Sequence, residues 1–315
     1  MNWDLSEEQQ AIRDAAAQVL GGERATWDEL AKADLLGLCL PETDGGSGHG
    51  IFELGLILEE QGKAGVHLPI LPTVLTAIAI ATFGSDEQKQ KWLPGVIAGD
   101  TVLTAVLDDQ LQYAPYAEQA DAFLLLHDGP GQLVSASAAN VTALQTTSGE
   151  SQGLVTKSAD GEALQVDAAW LTERWMAGLC MLQAGLCDKA LRLTAEYTTG
   201  REQFGKPVAT FQAVAQRAAD AYIDTEGVRL SAYQAAWRLS EGLPAANEVA
   251  VAKFWAADGG TRVMRAAQHL HGGIGMDTDY PLHTFTTWTK QIELTLGSAT
   301  PSLVRLGKAI ADEPI

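Results

Sequence analysis

The chain has 315 residues, 46% of them hydrophobic, enough to bury a large core in one to three domains. Forty Asp and Glu against 21 Lys and Arg leave a formal charge of -19, and a surface that acidic repels phosphate backbones and anionic lipid. Nucleic acid and membrane are therefore poor candidates for the main partner. Cys39, Cys180 and Cys187 are too few and too badly spaced for a disulfide framework or a zinc site, and buried thiols in a reducing compartment are expected instead. The N-terminal stretch around Asp4, Glu7 and Glu8 lacks the basic and apolar regions of a secretory signal. No apolar run approaches the ~20 residues of a membrane span, so a cytoplasmic protein is expected.

Ser6-Glu7-Glu8-Gln9 reads as a capping box opening a helix that runs to about Leu20. A second helix is expected from Trp27 to Leu36 with Gly37 as its stop. The run Thr43-Asp44-Gly45-Gly46-Ser47-Gly48-His49-Gly50 is a loop by glycine density. Helix returns over Glu53 to Gly62, with Leu54, Ile57, Leu58 and Gln61 at helical spacing. Ser85-Asp86-Glu87-Gln88 is a second capping box, whose helix is expected to end at Leu93-Pro94. Residues 1–100 thus form a helical domain.

From 101 to 168 the pattern becomes that of a small β-domain. Val102–Leu107, Ala122–His127, Gln132–Val134 and Gly153–Thr156 are short apolar or alternating runs, with turn signals at Asp128-Gly129-Pro130-Gly131 and Asp160-Gly161. Helices resume over 169–315. Leu179, Leu182, Leu186, Ala190, Leu193 and Tyr197 make one apolar stripe, and further helices are expected over Gln212–Ser240, Ala245–His269, Pro281–Leu294 and Leu303–Ala311. Long helices joined by short loops predict a C-terminal four-helix bundle in a mostly α chain.

Two segments carry chemistry. Arg201-Glu202-Gln203-Phe204-Gly205-Lys206-Pro207, leading into Phe211-Gln212, joins a guanidinium, an amide, a ring and a glycine at the junction of two helices. Such a set can hold a phosphate. An ordinary interhelical turn with a surface arginine accounts for it equally well. Gln268-His269-Leu270-His271-Gly272-Gly273-Ile274-Gly275 places glycines where a ligand or another backbone approaches closely, or where a helix simply ends. No strand precedes it, so it is not the dinucleotide fingerprint. His269 and His271, two apart, point to different helix faces and are poor metal ligands; no metal is expected.

Taken in order, these segments resemble the acyl-CoA dehydrogenase family over nearly the whole chain. The resemblance rests on Leu35-Leu36-Gly37-Leu38-Cys39-Leu40-Pro41-Glu42 with Gly45-Gly46-Ser47-Gly48, and on Phe83-Gly84-Ser85-Asp86-Glu87-Gln88 through Trp92-Leu93-Pro94. It rests further on Glu196-Tyr197 with Arg201-Glu202-Gln203-Phe204-Gly205 and Phe211-Gln212, and on His271-Gly272-Gly273-Ile274-Gly275 with Tyr280-Pro281-Leu282. It implies the acyl-CoA dehydrogenase fold and a tetramer built on the helical bundles. It also implies a FAD whose ADP portion meets Arg201, Gln203, Phe204 and Phe211, with its AMP portion facing Gln268 or His269, Gly272 and Gly273. The family's glutamine usually stands where this chain has His269, one residue after Gln268.

Two departures shape what the resemblance implies. The family removes the α-proton of an acyl thioester with a glutamate and passes the β-hydride to the flavin; here Leu296 stands at the glutamate's place in Leu294-Thr295-Leu296-Gly297-Ser298, and leucine accepts no proton. The alternative base position falls on Trp175. Glu173 lies two residues away, about 200° around the helix. Second, Val106-Leu107-Asp108-Asp109-Gln110-Leu111 replaces the segment that rests the flavin ring, in a reduced β-domain. A kept ADP-binding edge without a base is similar to the degenerate sister subunit of heteromeric (α2β2) dehydrogenases for steroid side-chain CoA thioesters. The implied partners are a full-length sister subunit, an acyl-CoA substrate and an electron-transferring flavoprotein as acceptor. No catalytic residue is assigned to the chain itself, with Glu173 as the one alternative base, in a self-sufficient homotetramer. A non-catalytic scaffold is the remaining alternative.

Overall fold

Both capping boxes read from the sequence are formed, the serine hydroxyl meeting the N3 amide and the glutamine side chain returning the bond at Ser6–Gln9 and at Ser85–Gln88. A computed structural model describes residues 4–22, 25–107, 112–126, 131–157, 159 and 161–312. Asp108-Asp109-Gln110-Leu111, His127, Asp128-Gly129-Pro130 and Asp160, read above as a platform replacement, a strand end and turn signals, lie outside the described residues. The chain divides into two compact units, one of residues 2–58 and 66–178, the other of 59–65 and 179–315.

Helix α1 (Glu7–Leu20) ends where expected. Helix α2 (Trp27–Lys32) stops four residues before the predicted Leu36. Its cause is Asp34, in the left-handed region at φ 57, whose amide bonds Ala31 while that of Leu35 bonds Leu30. That is a Schellman closure with Asp where glycine is usual, so Gly37 is not the stop. Helices α3 (Ile51–Ala64) and α4 (Ile70–Phe83) follow. No separate helix is read from the sequence over α4, because nearly every residue of it is buried and no polar face marks a period. Helix α5 (Asp86–Ala98) continues past the predicted end, carrying Pro94 within it. It closes at Gly99, whose φ of 81 favours glycine.

Strands β1 (Leu103–Val106), β3 (Ala122–Leu125), β4 (Gly131–Ser135) and β7 (Glu162–Leu164) form one sheet in the order β1-β3-β4-β7. Strands β2 (Tyr113–Pro115), β6 (Gln152–Lys157) and β5 (Ala139–Leu144) form another, in the order β2-β6-β5. The hairpin reading holds for β3–β4, which pair antiparallel, as do β6 and β5, the latter a strand not read from the sequence. That reading fails for β1, which pairs parallel with β3 in register Leu103↔Ala122. Val106, Ala114, Phe123, Val134 and Val155 pack together as the core of this region. The Thr73 hydroxyl of α4 anchors β1, donating to the Leu103 carbonyl at 3.0 Å and accepting from its amide at 3.2 Å.

Helix α6 (Ala168–Gly200) is 33 residues long, and β8 (Glu202–Gln203) pairs with β9 (Lys206–Pro207) just beyond it. Helices α7 (Gln212–Ser240), α8 (Ala246–Phe254) and α9 (Gly260–His271) follow, the last two joined by a π-helical turn, Trp255–Gly259. The expected single helix is thus one rod with a π turn. There Trp255 lies against Gly227 of α7, where an added Cβ would meet its ring at 2.7 Å. Helices α10 (Leu282–Leu294) and α11 (Ala299–Asp312) complete the chain. The closest helix approach is between α3 and α6. A Cβ at Gly185 would lie 1.9 Å from the Glu59 carbonyl oxygen, and one at Gly62 2.2 Å from that of Leu182. Beside it the Tyr233 hydroxyl donates to the buried Glu59 carboxylate at 2.5 Å, and Lys63 pairs with the same group.

Lys253 is fully buried on α8 and donates to the carbonyls of Ile292 and Glu293 at 2.7 and 3.1 Å, capping the last turn of α10. Burial pulls its ammonium down to about 8, against the opposing pull of Cys180 and Glu293.

Two outcomes follow. Gly185→Ala forces α3 and α6 apart and is expected to cost about 1–3 kcal/mol in chemical unfolding; an unchanged midpoint would refute the close approach. Because Lys253 binds its proton less readily folded than unfolded, it contributes stability fully above its ordinary 10.5 and loses it as pH falls through about 8. Wild type should therefore gain stability relative to Lys253→Met between those values. Parallel pH curves for the two proteins would contradict that assignment.

Candidate cofactor edge

The last turn of α6 delivers Arg201 to the hairpin. The Arg201 amide bonds the Tyr197 carbonyl at 2.8 Å, and the Val208 amide returns to the Arg201 carbonyl at 2.8 Å. Phe204 and Gly205 form the hairpin's two-residue tip at φ 53 and 76, both left-handed, as a primed turn requires. Glycine takes that geometry freely, whereas a phenylalanine held there costs about 1–2 kcal/mol. Phe204 is also 93% exposed, its ring perpendicular to that of Phe211 at a centroid distance of 6.3 Å. An aromatic ring kept strained and in water suits a partner that covers it.

Around that ring the chemistry suits an anion. Arg201 and Gln203 are exposed, and the Lys206 ammonium lies 4.5 Å from the Phe211 ring centroid. Phe211 is the N-cap of α7 and offers no side-chain cap; its carbonyl takes the Val214 amide at 3.0 Å, so the amides of Gln212 and Ala213 are the ones a helix N-terminus offers to an acceptor. Gln203 turns its amide onto the Glu202 carbonyl at 2.7 Å.

The glycine segment lies at the end of α9. Gly272 leaves the helix at φ 65 and ψ -138, conformational space essentially reserved for glycine, with its amide on the Gln268 and His269 carbonyls. A Cβ at Gly272 or Gly273 would meet nothing within 4 Å, so the bare backbone is open to close approach. His269 is exposed, while Gln268 points its amide at the Met276 sulfur, 3.5 Å away.

Sequence reasoning missed what joins the two segments. The Tyr197 ring stacks on His271 at 4.6 Å with 20° between planes, and Tyr280 closes against both. His271 Nδ1 lies 2.8 Å from the Ala267 carbonyl and Nε2 lies 3.1 Å from the Tyr280 hydroxyl. Tyr197 is one turn before Arg201, and His271 immediately precedes Gly272, so the stack joins the helix end that leads into the Arg201 hairpin to the helix end that leads into Gly272 and Gly273. Tyr197 and Tyr280 were visible as landmarks; their meeting at a histidine between them was not. Among the described residues no group of three or more His, Cys, Asp or Glu is arranged to hold a metal.

The candidate base positions carry no poised carboxylate in the second unit. Leu296 stands in the bend between α10 and α11 at φ 59, half-buried and apolar, followed by Gly297 at φ 98. Glu173 is in the other unit, on the second turn of α6 and half-buried; burial raises its pKa, Asp167 adds to the rise and Arg174 opposes it. Trp175 is buried. A cavity of about 200 Å³ between the sheets, lined by Val106, Gln112, Leu125, Val155, Thr156 and Lys157, is too small for a polycyclic acyl group.

Residues 6–100 match the acyl-CoA dehydrogenase N-terminal domain and residues 168–309 the acyl-CoA dehydrogenase C-terminal domain. The acyl-CoA dehydrogenase FadE27 of Mycobacterium tuberculosis is 37% identical over 93% of this chain and 89% of its own. The ChsE4-ChsE5 complex from Mycobacterium tuberculosis contains a chain 34% identical, superposing with a TM-score of 0.91 over the full length of both. A variant of the Tcur3481-Tcur3483 steroid ACAD is similar at 35% identity and a TM-score of 0.90, over 97% of this chain and 98% of that one. Strands, bundle and edge have one common explanation: the chain belongs to the acyl-CoA dehydrogenase family.

Proposed function

We propose that this chain is the base-less subunit of a heteromeric FAD-dependent acyl-CoA dehydrogenase, supplying part of the flavin site to a catalytic sister subunit. The observation that carries the reading is an asymmetry. One edge joins Arg201, Phe204 and the open backbone of Gly272 and Gly273, whereas the family's base position holds the apolar Leu296. In this reading Arg201 pairs with the diphosphate, Phe204 and Phe211 offer rings to the ADP portion, and Gln203 orients it. His269, exposed, is assigned to the AMP portion ahead of Gln268, which is engaged with Met276.

A flavin held at this edge would supply the acceptor for a hydride from the acyl β-carbon; Leu296 has no lone pair to receive the α-proton, which would go to a carboxylate of the sister subunit. The substrate class is a bulky acyl-CoA of the steroid side-chain kind, supported by likeness to the two steroid-type or heteromeric structures above. Electron-transferring flavoprotein is the acceptor that family membership suggests. The C-terminal unit also displays Tyr222 and Ile223 on α7 and Leu303, Val304 and Ile310 on α11 to solvent, apolar area that a partner chain would cover. No helix among the described residues is long and apolar enough to cross a membrane.

Purified alone, the chain should carry little flavin and show no acyl-CoA oxidation; co-expressed with a full-length sister it should gain both. Arg201→Ala in that complex is expected to lower retained flavin by about tenfold or more, since a charge-assisted contact to a phosphate contributes roughly 1.5–3 kcal/mol. Glu173→Gln should leave turnover unchanged. Stoichiometric flavin and turnover from the lone chain, abolished by Glu173→Gln, would establish the self-sufficient reading instead.

A further inference from the structure

We propose that His271 is a positioning residue that holds the Gly272-Gly273 turn in register with the Arg201 hairpin, an inference that rests on the reading of this edge as a flavin site. Both nitrogens and one face of the imidazole are engaged. The Ala267 carbonyl can only accept, so Nδ1 carries the proton and donates to it across 2.8 Å. Nε2 of the neutral ring then accepts from the Tyr280 hydroxyl at 3.1 Å, and one ring face lies on Tyr197. Three segments, the last turn of α6, the end of α9 and the turn before α10, are thereby fixed to one ring. The very next residue makes the glycine-only departure from the helix that leaves the backbone open. An apolar side chain at 271 fills the same volume but secures neither bond.

The arrangement depends on the neutral ring. Burial lowers the His271 pKa from its ordinary 6.5, with the Ala267 bond opposing. Protonation makes Nε2 a donor and sets it against the Tyr280 O–H, so the bond survives only if that hydroxyl reverses. Titratable groups on the segments that meet at the ring include Glu196 and Tyr197 of α6, His269 of α9, Asp277, Asp279 and Tyr280 of the turn, and His283 of α10. His283 Nδ1 lies 2.9 Å from the Tyr280 carbonyl. Burial raises the Tyr280 pKa, with Tyr197 and Glu196 adding to it, so the phenol stays protonated across the range that titrates the histidine.

The test is FAD release from the assembled complex, read by flavin fluorescence on dilution, between about pH 5.5 and about pH 8. Wild type should bind more weakly as pH falls below the ordinary histidine value. His271→Gln, whose amide oxygen still accepts from Tyr280 but does not titrate, should bind like wild type at the upper pH and lose the pH dependence. Tyr280→Phe should bind about fivefold more weakly at the upper pH, the loss of one hydrogen bond, and His271→Leu, which loses two, more weakly still. The positioning role is overturned if the pH dependence persists in His271→Gln, or if His271→Leu and Tyr280→Phe hold FAD like wild type while Arg201→Ala releases it. Unchanged FAD binding in Arg201→Ala overturns the flavin edge itself.

Discussion

One stacked pair, Tyr197 on His271, turns two ordinary helix ends into a site. Without it the hairpin after α6 is a surface turn and the glycines after α9 are a helix terminus, which is how each reads in isolation. With it, the helix end that carries a guanidinium and an exposed ring is joined to the helix end that carries bare backbone, all in the unit formed by residues 59–65 and 179–315. The rest of that unit serves to hold the two helices still. Gln183 of α6 donates to the Thr289 hydroxyl of α10, and Arg262 of α9 binds Asp224 of α7 through two nitrogens at 2.8 and 2.6 Å.

What the site contains and what it lacks are consistent with each other. Recognition of a dinucleotide tail needs donors, a ring and close backbone, and all are present. Proton abstraction from carbon needs a positioned carboxylate, and the bend at the proposed base position presents the apolar Leu296 at φ 59. Glu293, three residues earlier, is not a substitute. Burial disfavours its charge, but hydrogen bonds from Lys290 and Thr261 outweigh that and hold it ionised and engaged.

Much of this was legible in the linear sequence wherever the signal was local. The capping boxes at Ser6 and Ser85, the span of α7 and the Phe204-Gly205 turn follow from neighbours within a few residues. The misses have physical causes. Asp34 closed α2 early because an aspartate took a left-handed position usually given to glycine. Pro94 did not end α5, and α4 hid because burial on all faces erases periodicity. Strand β1 pairs parallel with β3 because β2 leaves for the other sheet, a choice of topology with no local mark. Nothing local marks the ring contacts of His271, since its partners Tyr197 and Tyr280 lie 74 residues before it and nine after.

The count of flavins in the assembled complex bears most directly on the central claim. If this chain lends an edge without owning a complete site, flavin absorbance against the mass of the complex should give one FAD for every two chains. One FAD for every chain, with this polypeptide's own carboxylate shown to abstract the α-proton, would contradict the account.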